Sequence, residues 1–256
     1  MKVVVINLLR SHERRTRVQR LLAQLSINHE FFDAIDASNG QHIKVSRYDE
    51  RLAKLMFGRD LTPAEVGCFA SHFLLWQRCA DSAEPLIIME DDVDILPEFS
   101  RSLDVTASVI RSLQIARLCV RTNRRFKKVA TLSGGFELIR YFKGPRGTQC
   151  YALSPEGARR LVRFSDVWTE AVDMYLDAFW RHGVPCWAIQ PFHVRHSDET
   201  IPSDIGLRTR GRLPSLAKAR RELTRAGQTI MRIAFNAAQL IEDRRISADL
   251  IRTARY

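Results

Sequence analysis

No run in this chain approaches the roughly 20 apolar residues of a membrane-spanning helix. Cysteine is scarce: there are five, an odd number without paired spacing. That excludes a disulfide framework and a paired-cysteine zinc site, and it predicts a reducing, cytoplasmic setting. The opening Met1–Arg10 stretch is too short and too soon charged for a signal peptide, and it lacks a small-residue cleavage site. It reads instead as a first core strand. No repeat or low-complexity block occurs. Residues 207–256 contain only Phe235 and Tyr256 as aromatics, too few for a base-stacking platform, and no nucleic-acid motif is found. Nucleic acid is therefore not an expected partner.

What is present suits a soluble α/β protein. The 256 residues are 45% hydrophobic and 27% charged, enough for a full core. Apolar strand-like runs at Val3–Leu8, Phe31–Ile35, Leu86–Met89, Leu118–Val120, Thr148–Leu153 and Val184–Ile189 alternate with helical patterns. Ser11 is placed to cap a helix from His12 to about Leu25. Thr62-Pro63-Ala64-Glu65 is a capping box, with proline at the first helical position, for a helix to about Ala80. Ser154 and Thr169 are placed to cap two more, the latter ending at His182-Gly183. Ser133-Gly134-Gly135 turns a hairpin within 131–142. The alternation predicts a sheet with helices on both faces, its strands parallel and their C-terminal ends sharing one edge. Asn7–Arg10, Asp91–Asp94 and Gly147–Tyr151 are expected there.

Glu90-Asp91-Asp92-Val93-Asp94 leaves the apolar strand Leu86–Met89. Clustered carboxylates at a strand end repel one another unless a cation or a sugar hydroxyl sits between them. An acidic turn is the plainer reading of the tripeptide alone. Glu90 and Asp92 are expected on one side of the strand and Asp91 on the other. Glu65, His72 and Trp76 share a helix face just before this strand, and Gly67 near the helix start signals close packing.

Four blocks in order carry a resemblance. They are Val5-Ile6-Asn7-Leu8 with Arg10, Arg14 and Arg15; Leu61 to Trp76, containing Glu65-Val-Gly67-Cys68 and Ser71-His72; Glu90-Asp91-Asp92-Val93; and Gly147 to Leu161 with Val172-Asp173 after it. Together these resemble glycosyltransferase family 25, the lipooligosaccharide-biosynthesis transferases related to collagen galactosyltransferases, over roughly residues 1–205. The resemblance implies a GT-A fold and a UDP-galactose or UDP-glucose donor. It also implies Mn²⁺ or Mg²⁺ as cofactor, inversion at the anomeric carbon, and a lipooligosaccharide or oligosaccharide acceptor. It implies Asp92 as the first metal ligand, with Glu90 on metal or ribose and His196 completing the shell or touching phosphate. A satisfied loop histidine is the more common fate of a residue such as His196. Asn7, Arg10, Arg14, Ser71, His72 and Asp91 are implied on the donor side. Asp173 is implied as the base, its alternative being an acid favoured by the helix dipole. The loop after Pro191 departs from the family pattern. A non-catalytic carbohydrate-binding protein on the same fold is the alternative function.

The net charge of +11 is uneven. Residues 207–256 hold 12 Lys/Arg against 4 Asp/Glu, whereas 1–206 hold 28 against 25. The division expected is a catalytic domain over 1–206 and a basic helical tail over 207–256, linked through Arg208–Pro214. Its stretch Ile230–Ile241 is amphipathic. It is read either as a peripheral anchor to an anionic inner-membrane surface or as a helix docked on the body or a partner subunit, burying Ile230, Ile233, Phe235 and Leu240. The basic stretch Arg121–Lys128 is read as a solvated loop or a phosphate contact.

Overall fold

The computed structural model describes residues 1–40, 47–197 and 215–253. The linker Arg208–Pro214 and the 206/207 boundary lie outside them. Val3, Val4, Val5 and Ile6 are all buried, so β1 (Lys2–Asn7) needs cover on both faces. Parallel partners flank it: β2 (His29–Asp33) on one side and β3 (Leu86–Glu90) on the other. The sheet continues through β8 (Cys150–Leu153), β5 (Ile115–Arg117), β9 (Trp187–Gln190), β7 (Glu137–Tyr141) and β6 (Phe126–Thr131). The eight strands form a mixed α/β architecture in the order β2-β1-β3-β8-β5-β9-β7-β6.

Strand alternation sends Val3, Val5, Ile87 and Met89 to one face. There they meet Val18 and Leu22 of α1 (His12–Gln24) and Val105, Val109 and Leu113 of α4 (Phe99–Leu113). Val4, Ile6 and Ile88 take the other face. They meet Phe69, Phe73 and Trp76 of α3 (Pro63–Asp81), Leu161 of α5 (Pro155–Arg163) and Tyr175 of α6 (Val172–Asp177). The short α2 (Glu50–Phe57) and α7 (Phe179–His182) complete the body.

Four expectations about the body are corrected. β8 runs antiparallel to β3, so Gly147–Gln149 reach the shared edge from the N-terminal end of their strand. Periodicity does not encode strand direction. Residues 194–196, read as loop, form β10 (Val194–His196) paired antiparallel with β4 (Val93–Ile95). The strand expected at Leu118–Val120 lies at Ile115–Arg117 instead, and Phe126–Lys128 of the basic stretch are strand.

Helix α8 (Ser215–Thr253) packs back on the body. Its Phe235 lies against Phe179 at 5.4 Å between ring centroids. Its Asp243 is buried and accepts from Arg140 Nε at 2.6 Å, Arg140 Nη2 at 3.0 Å and Lys127 Nζ at 3.0 Å. Ile230, Ile233 and Leu240, which a docked tail was expected to bury, are exposed. The docked face is built from Phe235, Asn236, Asp243, Ile246 and Leu250 rather than from the stripe of Ile230, Ile233 and Leu240.

Candidate active site

The site grows from three chain segments that end at one sheet edge. After β1, Asn7 turns toward α1, whose entry carries Arg10 and Arg14. After β3, the carboxylates emerge, and α3 passes beneath with Cys68, Ser71 and His72. All of these but Asn7, which is buried behind Asp91, line a cleft of about 550 Å³, together with Ile6, Leu8, Ile35 and the Ala37–Ser38 turn. That size suits a small-molecule ligand.

Local chemistry places α3. The capping box is complete: Glu65 N–H donates to Thr62 Oγ1 at 3.2 Å, and Thr62 N–H to Glu65 Oε2 at 3.0 Å. Glu65 is further clamped by Arg59 at 2.9 Å and stands behind the cleft rather than in it. Gly67 lets the helix touch the strand-β2 exit, since a Cβ there would meet the Ile35 carbonyl oxygen at 2.6 Å. Ser71 ties the same contact: its hydroxyl accepts from Ile35 N–H at 2.9 Å and donates to Gly67 O at 2.8 Å.

The three carboxylates have different surroundings. Asp91 accepts from Asn7 Nδ2 at 2.7 Å and lies 3.5 Å from Arg14 Nη1. Burial still raises its carboxyl. Glu90 accepts from the Thr148 hydroxyl and lies 3.3 Å from His72 Nε2. Burial opposes its ionisation, yet His72 and Thr148 hold it below the ordinary range. Asp92 Oδ2 lies 3.4 Å from His196 Nδ1, while its Oδ1 is buried without a hydrogen bond among the described residues. Burial, and behind it the charges of Glu90 and Asp91, push the Asp92 carboxyl up to about 7. The strand ends at Glu90, so side alternation stops there and all three acids line the cleft. Asp94 leaves the cluster to pair with Arg17.

A buried chain fixes one imidazole. Trp76 Nε1 can only donate, and it gives its hydrogen to Tyr151 Oη at 2.8 Å. Tyr151 Oη lies 2.8 Å from His72 Nδ1, so its own hydrogen points there. The pattern assigns the His72 proton to Nε2, facing Glu90. Cys68, His72 and Glu90 have ligand atoms within 4.8 Å of one another. That tautomer, with a Cys68 thiol pushed well up by burial and then by Glu90 and Asp173, disfavours metal binding by this trio.

The structure thus brings together Asn7, Arg10, Arg14, Ser71, His72, Glu90, Asp91, Asp92 and His196. Arg10 is engaged by Asp36 and Ser38 and still lines the cleft. Asp173 stands apart from that lining. It lies in the first turn of α6, half-buried, its Oδ1 accepting from Met174 N–H at 2.9 Å. Asp177 is committed elsewhere: it accepts from Arg117 at 3.1 Å and Arg146 N–H at 2.9 Å, tight against Gly144. In the basic stretch, Lys127 pairs with Asp243 and Lys128 with Glu137, away from the cleft. Thr148 and Tyr151 are the contributors that sequence reasoning left without roles. Their one signal was polar residues at the start of an otherwise buried strand.

The sequence pattern of Glycosyltransferase family 25 (LPS biosynthesis protein) matches residues 1–176. The chain is similar to the Lipooligosaccharide biosynthesis protein lic2B of Haemophilus influenzae, with 37% identity over 90 residues, 35% of this chain and 32% of that protein. It is also similar to Procollagen galactosyltransferase 1 of Danio rerio, with 28% identity over 177 residues, 63% of this chain and 28% of that protein. Procollagen galactosyltransferase 1-B of Xenopus laevis shows 32% identity over 125 residues, 46% of this chain and 20% of that protein. The chain therefore spans a third or less of these relatives.

Proposed function

Because the chain belongs to glycosyltransferase family 25, we propose that it is an inverting, metal-dependent hexosyltransferase with a GT-A-like fold. It would move galactose or glucose from a UDP-sugar to a sugar of a lipopolysaccharide or lipooligosaccharide core. The observation that carries this reading is the convergence of three carboxylates and two arginines around one cleft at the sheet edge.

The donor set fits Mn²⁺ or Mg²⁺. Glu90 and Asp92 bring hard oxygens, Asp92 Oδ1 is buried without a hydrogen bond, and the crowded negative charge is what a cation relieves. Glu90, Asp92 and His196 would hold the ion. When bound, such a cation neutralises charge on a departing diphosphate. Arg10 and Arg14, beside the N-terminus of α1, offer cationic contacts to the same phosphates. Asp91 positions Arg14 and Asn7. His72 holds Glu90 as an anion. Asp173 takes the proton of the acceptor hydroxyl, which requires the acceptor to enter from the α6 side.

No helix of the described residues is long and apolar enough to cross a membrane. On the same reading the basic side chains from Arg208 to Arg221 favour an anionic lipid surface, where such acceptors are presented. Salt-sensitive binding of the whole chain to anionic vesicles checks this. For the activity itself, UDP release is measured from UDP-galactose and UDP-glucose with Mn²⁺, with and without chelator. Chelator-sensitive release is expected. Sugar-dependent thermal stabilisation without any UDP release would instead mark a non-catalytic binder.

A further inference from the structure

Helix α8 has two faces with different fates. One is bound to the body through Phe235, Asn236 and Asp243, with Arg232 lying over the Trp180 ring at 5.6 Å. The opposite face carries Leu223, Ile230, Ile233, Leu240 and Ile241, which are 44–74% exposed. We propose that this outward face is the interface of a symmetric dimer, with the α8 helix of a second copy of this chain packed against it in antiparallel orientation.

The spacing carries the proposal. Residues 223, 226, 230, 233, 237 and 240 recur at intervals of three and four, the seam of a coiled coil. The seam reads Leu-Ala-Ile-Ile-Ala-Leu, the same in both directions. A two-fold axis between Met231 and Arg232 therefore sets Leu223 opposite Leu240 of the second copy, Ala226 opposite Ala237, and Ile230 opposite Ile233. Large layers meet large layers, and the alanine layers let the helices approach. An isologous interface needs this self-complementarity, because each copy presents the same patch in reverse. A lipid surface needs no such symmetry.

Charge agrees. No seam position from 223 to 240 is charged, and Gly227 and Ala234 beside it are small. The next seam position is Arg244, which the antiparallel setting brings within a turn of Glu222 of the second copy. From Arg221 to Leu250, five arginines are balanced by four carboxylates, so this part of the helix lacks the basic excess that an anionic lipid face would use. The seam points away from the body, which leaves the two bodies on opposite outer sides of the helix pair.

The test is the mass of the full-length chain in solution, by sedimentation from low to high micromolar concentration. Twice the 29.4 kDa chain mass is expected. The double variant Ile230→Glu/Ile233→Glu sets like charges in the central layers and should sediment as a monomer. Its far-ultraviolet circular dichroism should match that of the wild type, since neither side chain is buried on the body, while its melting temperature should no longer rise with protein concentration as a dimer's does. In an otherwise wild-type background, Leu223→Cys mixed with Leu240→Cys should cross-link between the two variants and not within either alone. That readout decides the case even if the glutamate variant misfolds. A monomer at every concentration overturns the proposal, as does cross-linking of Leu223→Cys to itself. Anionic-vesicle binding that the glutamate variant abolishes, in a chain that is monomeric throughout, assigns the face to lipid and overturns it too.

Discussion

Asp92 has one carboxylate oxygen buried without a hydrogen bond and two more carboxylates beside it. A residue so placed contributes little to stability, because it has few favourable contacts to lose. Asp92→Ala is therefore expected to leave the melting temperature at or above the wild-type value. On the proposed metal-dependent reading, UDP release should fall by about 10²-fold or more, since a ligand to a charge-neutralising cation is worth several kcal/mol. Turnover near the wild-type rate would remove Asp92 from the metal site. Tyr151 matters for the opposite reason, because its hydroxyl serves two buried groups at once. Tyr151→Phe leaves Trp76 Nε1 and His72 Nδ1 without partners, at about 1–3 kcal/mol for each unsatisfied group. It also frees His72 to move its proton to Nδ1, turning an acceptor toward Glu90. Turnover is expected to fall about tenfold, roughly 1.4 kcal/mol. The nitrogen-15 shifts of the imidazole should report a mixture of tautomers. A single, unchanged tautomer would show that the relay does not hold the ring.

At the scale of elements, α3 shows how a fold-level contact sets site geometry. Its Gly67 sits where alanine would ordinarily gain about 0.8–1 kcal/mol of helix propensity. The Ile35 carbonyl oxygen, 2.6 Å from the site of a Cβ, reverses that sign, because overpacking against backbone costs about 1–3 kcal/mol. Gly67→Ala is expected to lower the urea midpoint and raise the donor KM, since the strand-β2 exit it displaces lines the cleft. An increase in stability would mean that the contact relaxes freely. This helix was also the most legible part of the chain. Thr62, Pro63 and Glu65 announce its start through bonds only three residues long, and β1, α1 and the hairpin at Ser133–Gly135 were equally local. What sequence patterns did not reveal depends on distant partners. β10 is three residues long, too short to show a period, and it matters because pairing with β4 carries His196 to Asp92. Thr148 and Tyr151 gain their roles from Glu90 and His72, 58 and 79 residues away. Asp91 was expected to face away from Glu90 and Asp92, but that expectation assumed an extended strand where the backbone bends.

At the scale of the molecule, a buried ion pair ties α8 to the body. Asp243 of α8 and Arg140 of β7 are both buried, and Arg140 donates to it through Nε and Nη2 while Lys127 adds a third contact. Desolvating such a pair costs about as much as its attraction returns, so the pair specifies where α8 docks more than it stabilises the docking. Removing one member is another matter. Asp243→Ala leaves a buried guanidinium uncompensated, a loss of about 3–5 kcal/mol if the helix stays in place. In a protein of this size each kcal/mol shifts the melting temperature by about 2–4 °C, and a drop of roughly 6–20 °C is expected. The alternative is that α8 lets go and Arg140 is rehydrated. Proteolysis then tells the two apart, because a released helix is cut at its arginines long before the body unfolds. The double variant Arg140→Met/Asp243→Leu completes the argument. It removes both charges and fills the space, so it should recover most of the lost stability while α8 stays protected. If the double variant is as unstable as Asp243→Ala alone, the pair holds the helix by its charges, and the placement of α8 depends on electrostatics rather than on packing around Phe235 and Phe179.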